Sequence, residues 1–378
     1  MTAAMLVFHE TDQFAGCRRI TGDTTSGRLS PGVAQMRVAW FHQYGEPEVL
    51  VCEEAPTPIA GPGEALIRVR ATGINHVDLD VRAGTSRVPL KFPHILGREF
   101  AGEVAALGDP GSSFREGDRV WVACRLPCER CEFCLTGRDN LCERGGYFGM
   151  DIPGGYAEFV KVPLRSLNLL PAHLSFEDAA ASQIAFGTAW HVLINRGGLR
   201  AGHTVLIQAA GSGIGSAAVQ VARLAGARII ATAGSDAKLE RARALGADEL
   251  INYTREPEFD QKVLELTQGR GVDVVMEHIG GEVFTRSLAC LRTDGTMVTV
   301  GAHAGEVVPL DIIPFFRRQL RLVGSKNASL SELREVMAMV ADGRLKPVIH
   351  ATFPLEEAAQ AHRTVGSRDL FGKVLLKP

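Results

Sequence analysis

The chain has 378 residues, of which 46% are hydrophobic and 22% charged, and its net charge at pH 7 is -2. This length exceeds what one hydrophobic core usually supports, so we expect a globular protein of two domains. The nearly neutral charge gives no electrostatic reason to expect a nucleic-acid or membrane partner, and no apolar run reaches the roughly 20 residues that cross a bilayer.

Residues 1–35 show no strong helix or strand pattern. Their only apolar cluster, Met5–Phe8, is too short for the core of a secretory signal. We therefore predict a disordered extension at 1–35, with a functional arm as the alternative. A strand-like pattern begins just after Met36, at Arg37–Trp40.

From Met36 to about residue 165 the chain is rich in glycine and proline, with short β-type runs such as Ala65–Arg70 and Arg119–Val122. This composition predicts a β-rich domain with long loops. The pattern changes near Pro171. Beyond it, Ser175 with an acid three residues later is typical of a helix start, and short apolar strands then alternate with amphipathic helices.

The second half of the chain predicts a doubly wound parallel α/β sheet, because buried strands and helices alternate. The simplest arrangement inserts a nucleotide-binding domain, 166–326, into a β-rich domain formed by 36–165 and 327–378. Predicted strands are Thr204–Gln208, Arg228–Ala233, Glu249–Tyr253, Val272–Met276, Thr296–Val300, Arg321–Gly324 and Lys373–Leu376; predicted helices are Ile214–Leu224, Ala237–Leu245, Phe259–Thr267, Val283–Leu291, Ser331–Ala341 and Leu355–Val365.

A glycine-rich turn joins the strand ending near Ile207 to the next helix. Such a turn can bind the pyrophosphate of a dinucleotide at the helix N-terminus, where small residues let the backbone approach the phosphates. The motif is imperfect, because Ala and Ser stand where the first two glycines usually occur, and an ordinary tight turn is the alternative. The predicted cofactor-binding residues of the turn are Ala210, Gly211, Ser212, Gly213, Ile214 and Gly215.

The end of the second strand of this sheet predicts which dinucleotide binds. NAD sites usually carry an acid there for the ribose 2′-hydroxyl, whereas this strand runs into Gly234 and Ser235. Asp236 comes too late for that role, and Lys238 and Arg241 follow. A missing carboxylate with nearby cations favours the 2′-phosphate of NADPH; a solvated helix face is the alternative interpretation of Lys238 and Arg241.

Four of the eight cysteines lie in one loop, with gaps of two, two and seven residues. Four thiolates in a short loop predict a closed tetrahedral zinc site that leaves no position for substrate. An iron–sulfur cluster is the main alternative, but the bacterial pattern has three residues before its last cysteine and then proline. We expect one structural Zn2+ per chain and a cytoplasmic location. The predicted ligands are Cys128, Cys131, Cys134 and Cys142.

Together these features resemble the medium-chain dehydrogenase/reductase superfamily, and within it the bacterial alcohol dehydrogenase-like and quinone oxidoreductase-like members. The resemblance runs from about Met36 to the C-terminus. It implies a GroES-like catalytic domain, a Rossmann domain, an active site between them, and a homodimer or homotetramer. It is carried by the cysteine loop, the glycine turn and the segments Gly97–Val104, Gly154–Phe159, Thr188–Trp190 and Phe371–Val374.

Departures from this family decide the expected chemistry. Where zinc alcohol dehydrogenases have a catalytic Cys this chain has Asn75, and where they have a zinc-binding His it has Arg98. The stretch matching their third ligand, Gln183–Gly187, contains neither Cys nor His. Because an arginine would repel Zn2+, we expect no catalytic zinc.

The segment that begins at Asn75 instead resembles the zinc-free quinone oxidoreductases and enone reductases. It places Asn75 and His76 near the expected nicotinamide, with a structural histidine as the alternative for His76. Asp78 is a further catalytic candidate, although an internal ion pair with Arg82 is the favoured interpretation. The remaining candidates are Thr188 beside the nicotinamide, Tyr253 at the adenosine phosphate end, and His278, Gly301, His303 and Asn327 at the C-terminal edge of the sheet.

Three functions remain open at this point. The favoured hypothesis is NADPH-dependent hydride transfer to an activated C=C bond or a quinone, where the carbonyl oxygen of the small-molecule substrate needs only hydrogen-bond donors. Alcohol and carbonyl interconversion is the first alternative and normally needs a metal, here from an unorthodox site built of Glu99, Asp78 or His94. The second alternative is a non-catalytic NADPH-binding protein.

Overall fold

The structure is a computed structural model that describes residues 34–378; the predicted extension at 1–35 lies, apart from its last two residues, outside the described residues. No helix in the described part is long and apolar enough to cross a membrane. The strands of this part, β1 to β18, are Gln35–Phe41, Val51–Pro56, Glu64–Ile74, His94–Ile95, Glu99–Leu107, Arg119–Val122, Arg125–Leu126, Gly146–Tyr147, Phe159–Pro163, Leu167–Leu169, Thr204–Ile207, Arg228–Ala233, Glu249–Asn252, Val272–Glu277, Leu291–Thr299, Arg321–Gly324, Ile349–Pro354 and Lys373–Lys377. Its α-helices, α1 to α10, are His76–Ala83, Glu132–Leu135, Phe176–Trp190, Gly213–Leu224, Asp236–Ala244, Phe259–Leu266, Gly281–Ala289, Ile312–Arg317, Leu330–Ala341 and Ala358–Gly366.

A parallel sheet of six strands, in the order β13-β12-β11-β14-β15-β16, organises the second half of the chain. Every residue of β11 is buried, and its side chains alternate between two cores. Val205 and Ile207 pack with α4, whereas Leu206 packs with α6 and α7 on the opposite face. Helices therefore cover both faces, as a doubly wound sheet requires. The predicted strand Arg321–Gly324 pairs with β15 and forms one edge of the sheet, which confirms its assignment.

A second, mostly antiparallel sheet of seven strands surrounds β3, which pairs with β5, β9 and β18. Its last two strands, β17 and β18, come from the end of the chain and pair with each other in parallel. The chain thus leaves this sheet to build the parallel one and then returns to it. This is the predicted GroES-like architecture with an inserted Rossmann sheet.

Helix α3 lies between the two sheets. Ser175 caps it by accepting a hydrogen bond from the Asp178 N–H at 2.9 Å, as the sequence predicted. Ala180 and Ala181 pack on the sheet around β3, whereas Ala185 belongs to the core beneath β11. Small residues on both sides of the helix allow both sheets to approach it closely.

Helix α1 was not predicted, and it corrects one expectation. Asn75 and Asp78 form a capping box at its start, in which the Asp78 carboxylate accepts the Asn75 N–H at 2.8 Å. The expected ion pair between Asp78 and Arg82 is wrong: Arg82 donates to the Gly45 carbonyl and contacts His362 instead. The ion pair was expected because residues four apart share a helix face. The Asp78 carboxylate instead hydrogen-bonds the backbone at the N-terminus of α1.

Candidate active site

The principal cleft has a volume of about 550 Å³ and opens at the carboxyl ends of the parallel strands, the usual ligand position in a doubly wound sheet. The turn after β11 forms its floor, and β18 with the segment before it forms one wall. Of the predicted site residues, those that line the cleft are Asn75, His76, Gly211, Ser212, Gly213, Ile214, Gly234, Lys238, Tyr253 and His278, together with the weaker candidate His303.

The glycine turn has the shape that a dinucleotide phosphate needs. Ser212 caps α4 by accepting the Gly215 N–H at 2.9 Å. A Cβ on Gly215 would lie 2.3 Å from the Ala209 carbonyl oxygen, so only glycine permits this approach of helix to strand. Ala210 is fully buried. Ala210 and Gly215 therefore lie behind the cleft surface and shape the turn from within.

Two lysines flank the turn on its open side. A Cβ on Gly211 would lie 3.1 Å from Lys238 Cδ, and one on Gly213 would lie 2.7 Å from Lys373 Cδ. The methylene chains of both lysines thus pass the N-terminus of α4, whose free N–H groups already favour an anion. Sequence reasoning included Lys238 and missed Lys373.

The end of β12 presents no acid to the cleft. Ser235 lies just behind the surface, where its hydroxyl caps α5. The Asp236 carboxylate is engaged outside the cleft by Asn252 at 2.6 Å and Arg255 at 2.7 Å. The nearby cations of the cleft are Lys238 and Arg368, whose backbone carbonyl accepts a hydrogen bond from the Lys238 ammonium.

Arg241 points elsewhere. Its guanidinium lies over the ring of Phe371, with 4.3 Å between Cζ and the ring centroid. Arg241 is exposed, which agrees with the alternative interpretation as a solvated helix face.

A buried polar network borders the cleft where β3 ends. The Lys373 ammonium donates to the Ile74 carbonyl at 2.9 Å, to Asn75 Oδ1 at 2.8 Å, and to Glu99. Glu99 is fully buried and also accepts from Asn75 Nδ2 at 3.0 Å and from the Ile184 N–H at 2.8 Å. The sequence did contain a signal for this network. Lys373 begins the strand β18, most of which is apolar and buried, and a buried lysine needs a hydrogen-bonding partner.

Three histidines gather on the other side of the cleft. The rings of His76 and His303 meet edge to face with centroids 4.2 Å apart. Burial lowers the pKa of both, and it lowers the pKa of His278 to about 4. His278 Nε2 lies 3.4 Å from the Ser212 hydroxyl. At neutral pH these three rings are uncharged and can serve as hydrogen-bond donors or acceptors.

Four other predicted residues lie away from the cleft lining. Asp78 is fully buried, and Thr188 is 5% exposed within α3. Gly301 packs behind His278, whose carbonyl oxygen would lie 2.7 Å from a Cβ there. Asn327 Nδ2 donates to the Tyr147 hydroxyl at 2.8 Å. The sequence shows where these residues stand in the chain but not which way they face. In the structure they make packing, capping or hydrogen-bond contacts outside the cleft lining.

The predicted zinc ligands converge. The four sulfurs of Cys128, Cys131, Cys134 and Cys142 all lie within 4.8 Å of one another, with 3.4 Å between the second and third. Tetrahedral Zn–S bonds of 2.3 Å imply S···S separations of about 3.8 Å, so the residues fit the ion. Backbone N–H groups lower the pKa of Cys128 to about 6, which favours the thiolate form that a metal binds.

No unorthodox metal site assembles from the other candidates. Within residues 34–378 only the four cysteines bring three or more metal-type ligands together. Glu99 is paired with Lys373, Asp78 caps α1, and His94 Nε2 lies 3.1 Å from the Gly149 carbonyl.

Comparisons with known proteins agree with this architecture. The family model described as alcohol dehydrogenase GroES-like domain matches residues 61–172, and that described as zinc-binding dehydrogenase matches 213–342. The chain is 30% identical to an NAD-dependent alcohol dehydrogenase of Sulfolobus acidocaldarius, over 90% of this chain and 99% of that protein. It is equally 30% identical to the quinone oxidoreductase of Homo sapiens, over 89% and 96%.

Among solved structures, one described as an NAD-dependent alcohol dehydrogenase superposes with a TM-score of 0.87 at 43% identity, covering 91% of this chain and all of that one. The chain that contains these two sheets, the cysteine cluster and the cleft is therefore similar to dehydrogenases and quinone oxidoreductases over nearly their full length. The chain belongs to the medium-chain dehydrogenase/reductase superfamily of oxidoreductases, with a four-cysteine cluster of the structural zinc type.

Proposed function

We propose that this oxidoreductase transfers hydride from NADPH to an activated C=C bond or a quinone without a catalytic metal ion. The network around Glu99 is the observation that carries the proposal. The acid that could serve a metal there is already neutralised by Lys373, and Asn75 offers only an amide. Such a donor set suits hydrogen bonding to a polarised carbonyl better than it suits binding a cation.

The cleft fits a nicotinamide dinucleotide, which would supply the hydride. The turn at Gly211–Gly215 would hold the pyrophosphate, with Lys373 beside it. Lys373 also positions the Asn75 amide at the cleft wall through the 2.8 Å hydrogen bond to Oδ1. The neutral pair of His76 and His303 can donate to, or relay a proton toward, the oxygen that gains charge.

The preference for NADPH rests on the charges near Gly234. Lys238 and Arg368 border the cleft there, and the acid that follows the strand, Asp236, is bound by Asn252 and Arg255. A 2′-phosphate would meet two cations and no carboxylate, whereas a 2′-hydroxyl would lack the acceptor that NAD sites provide.

The cofactor preference is best tested by replacing Lys238. Replacing Gly234 by Asp mixes charge with crowding, because a Cβ there would lie 2.9 Å from the Tyr253 hydroxyl. We expect the unmodified protein to prefer NADPH by at least about tenfold, or roughly 1.4 kcal/mol. Lys238→Ala should reduce that ratio, whereas Lys262→Ala, a remote surface control, should not. Equal or better use of NADH by the unmodified protein contradicts the assignment.

Alcohol and carbonyl interconversion is the second candidate. It is favoured by the 43% identity to a structure described as an alcohol dehydrogenase. It would require an electrophile at the cleft, and the three unorthodox metal ligands considered above do not assemble.

One experiment separates the candidates. Quinones, enones, aldehydes and ketones are assayed with both cofactors, and metal content is measured on the same sample. A metal count near one per chain, and turnover of enones or quinones that survives a mild chelator, supports the proposal. Chelator-sensitive ketone reduction restored by zinc, with a count near two, supports an alcohol dehydrogenase. Nucleotide binding without turnover of any substrate supports the non-catalytic alternative.

We also propose that the protein forms a homodimer or a homotetramer. The edge strand β16 is open on one side, and large apolar side chains near it are exposed, including Val307 at 94% and both Ile312 and Phe316 at 59%. A second copy would cover both features. Sedimentation of the full chain tests this; a monomer at micromolar concentration contradicts it.

The domain limits and the cellular location remain part of the proposal. Limits near 165/166 and 326/327 are supported by the return of the chain to the antiparallel sheet at β17. A cytoplasmic location is supported by the thiol cluster, which binds metal only while reduced, and is tested by fractionating cells that express the chain.

A further inference from the structure

Three cations surround the ring of Tyr147. The Cζ atoms of Arg98 and Arg125 each lie 4.7 Å from the ring centroid, and the Lys326 ammonium lies 5.8 Å from it. None of the three forms a salt bridge with an acid of the described residues. Lys326 is exposed, but burying Arg98 and Arg125 without a counter-ion is costly unless an anion joins them.

Arg98 is the buried member of the group that has no hydrogen-bond partner among the described residues. It is 8% exposed, its Nε is buried without a hydrogen-bond acceptor, and its terminal nitrogens make no hydrogen bond within residues 34–378. Arg125, by contrast, is committed: it donates to the Asp139 carbonyl at 2.8 Å, and also to the Cys142 carbonyl and the Tyr147 hydroxyl. Arg125 thereby ties the cysteine loop to Tyr147.

The nearby acid Asp78 does not neutralise Arg98. Asp78 makes no ion pair with Arg98, and its Oδ1 is likewise buried without a partner. Burial raises the pKa of Asp78 to about 6 despite the nearby Arg98. Its other oxygen caps α1. Asp78 therefore compensates the positive charge of Arg98 only weakly.

Arg98 is not part of the cleft lining, but it adjoins the network that forms the cleft wall. Arg98 directly precedes Glu99, which hydrogen-bonds Asn75 and Lys373 in the cleft wall. On its other side, the Tyr147 hydroxyl accepts from Asn327, in the loop that follows β16. The cation group is thus connected through Glu99 to the cleft wall and through Asn327 to the loop after β16.

We propose that Arg98 and Lys326, with Tyr147 between them, bind an anionic group of the substrate, a carboxylate in the simplest case. This inference rests on the proposed function and specifies its substrate class: enones or quinones that carry a negative charge. A guanidinium presents paired N–H donors that match the two oxygens of a carboxylate. Binding would satisfy the buried Arg98 charge.

The test compares one acceptor with and without its charge. The full chain with NADPH is assayed on trans-4-oxo-2-pentenoate and on its methyl ester. Binding without turnover is measured by calorimetry with 4-oxopentanoate and its methyl ester. We expect the acid to be preferred at least about tenfold in kcat/KM and in Kd. Arg98→Met should bring both ratios near unity, and Arg98→Lys should keep part of the preference.

Arg68→Met is the matched control, because Arg68 also lies over an aromatic ring, that of Phe159 at 5.2 Å, but on the surface. A purely structural Arg98 would change turnover of acid and ester alike and leave their ratio intact. Equal binding of acid and ester by the unmodified protein overturns the proposal, and that comparison needs no variant to fold. An acid preference in calorimetry, lost in Arg98→Met, upholds the anion site even if no acceptor is reduced; in that case only the proposed reaction fails.

Discussion

The buried ion pair of Lys373 and Glu99 can be tested by neutralising each side chain separately. Glu99 is fully buried and Lys373 is 6% exposed. Lys373→Met removes the ammonium and leaves the carboxylate buried, with only the Asn75 amide and the Ile184 N–H as donors. Removing one partner of a buried pair typically costs about 3–5 kcal/mol, so we expect a loss of that size in the free energy of unfolding.

The reverse change should cost less. In Glu99→Gln the Lys373 ammonium keeps two acceptors, the Ile74 carbonyl and Asn75 Oδ1, and it borders the open cleft. The double variant should recover most of the loss in Lys373→Met, since no buried charge remains and the Gln side chain can still accept from Ile184. The two substitutions are therefore expected to be strongly non-additive.

Thermal and denaturant unfolding of the four proteins measure this cycle. The loss in Lys373→Met corresponds to a fall in Tm of about 10 °C for a domain of this size. Lys262→Met is the matched control, because it breaks only a solvent-screened surface pair with Glu265, which contributes little to stability. The reasoning is refuted if Lys373→Met costs no more than this control, or if the double variant costs the sum of the single ones.

Two further predictions concern other sites. Cys134→Ser should lower the metal content from about one zinc per chain and lower the Tm, while nucleotide binding persists, because the cysteine loop is remote from the glycine turn; elemental analysis that finds iron, or unchanged zinc, opposes this. Glu332 accepts hydrogen bonds from His191 at 2.7 Å and from Asn195, and these hold its pKa, despite burial, at about 2. Because that pKa is lowered, its stabilisation of about 3 kcal/mol is present above pH 4.5 and declines as pH falls toward 2. The stability difference between the unmodified protein and Glu332→Gln should therefore shrink from pH 7 to pH 3; a constant difference contradicts the assignment.

The cysteine loop has a structural consequence beyond holding a metal. Arg125 connects its carbonyls to the Tyr147 hydroxyl, and the Asp139 carboxylate accepts the Leu330 N–H at 3.0 Å, at the start of α9. The cysteine loop is therefore linked to Tyr147 through Arg125 and to the start of α9 through Asp139.

Local sequence patterns were sufficient to predict much of this protein. The strand periodicity located Arg119–Val122, Arg228–Ala233 and Arg321–Gly324 with the bounds that the structure has. The cysteine spacing predicted the metal cluster, because ligands within fifteen residues of one another meet through one loop. The glycine turn and its helix followed equally from local rules, since backbone clearance at Gly215 depends on its immediate neighbours.

Contacts between distant segments were decided only by the tertiary structure. Lys373 meets Glu99 across 274 positions of the chain, and no local pattern pairs them. His76 meets His303 in the same way. Asp78 was misassigned to Arg82 because helix spacing shows which residues share a face, whereas burial and a competing cap decide which contacts form. The charge of Arg98 was visible in the sequence, but its lack of a partner became visible only once the surrounding segments were in place.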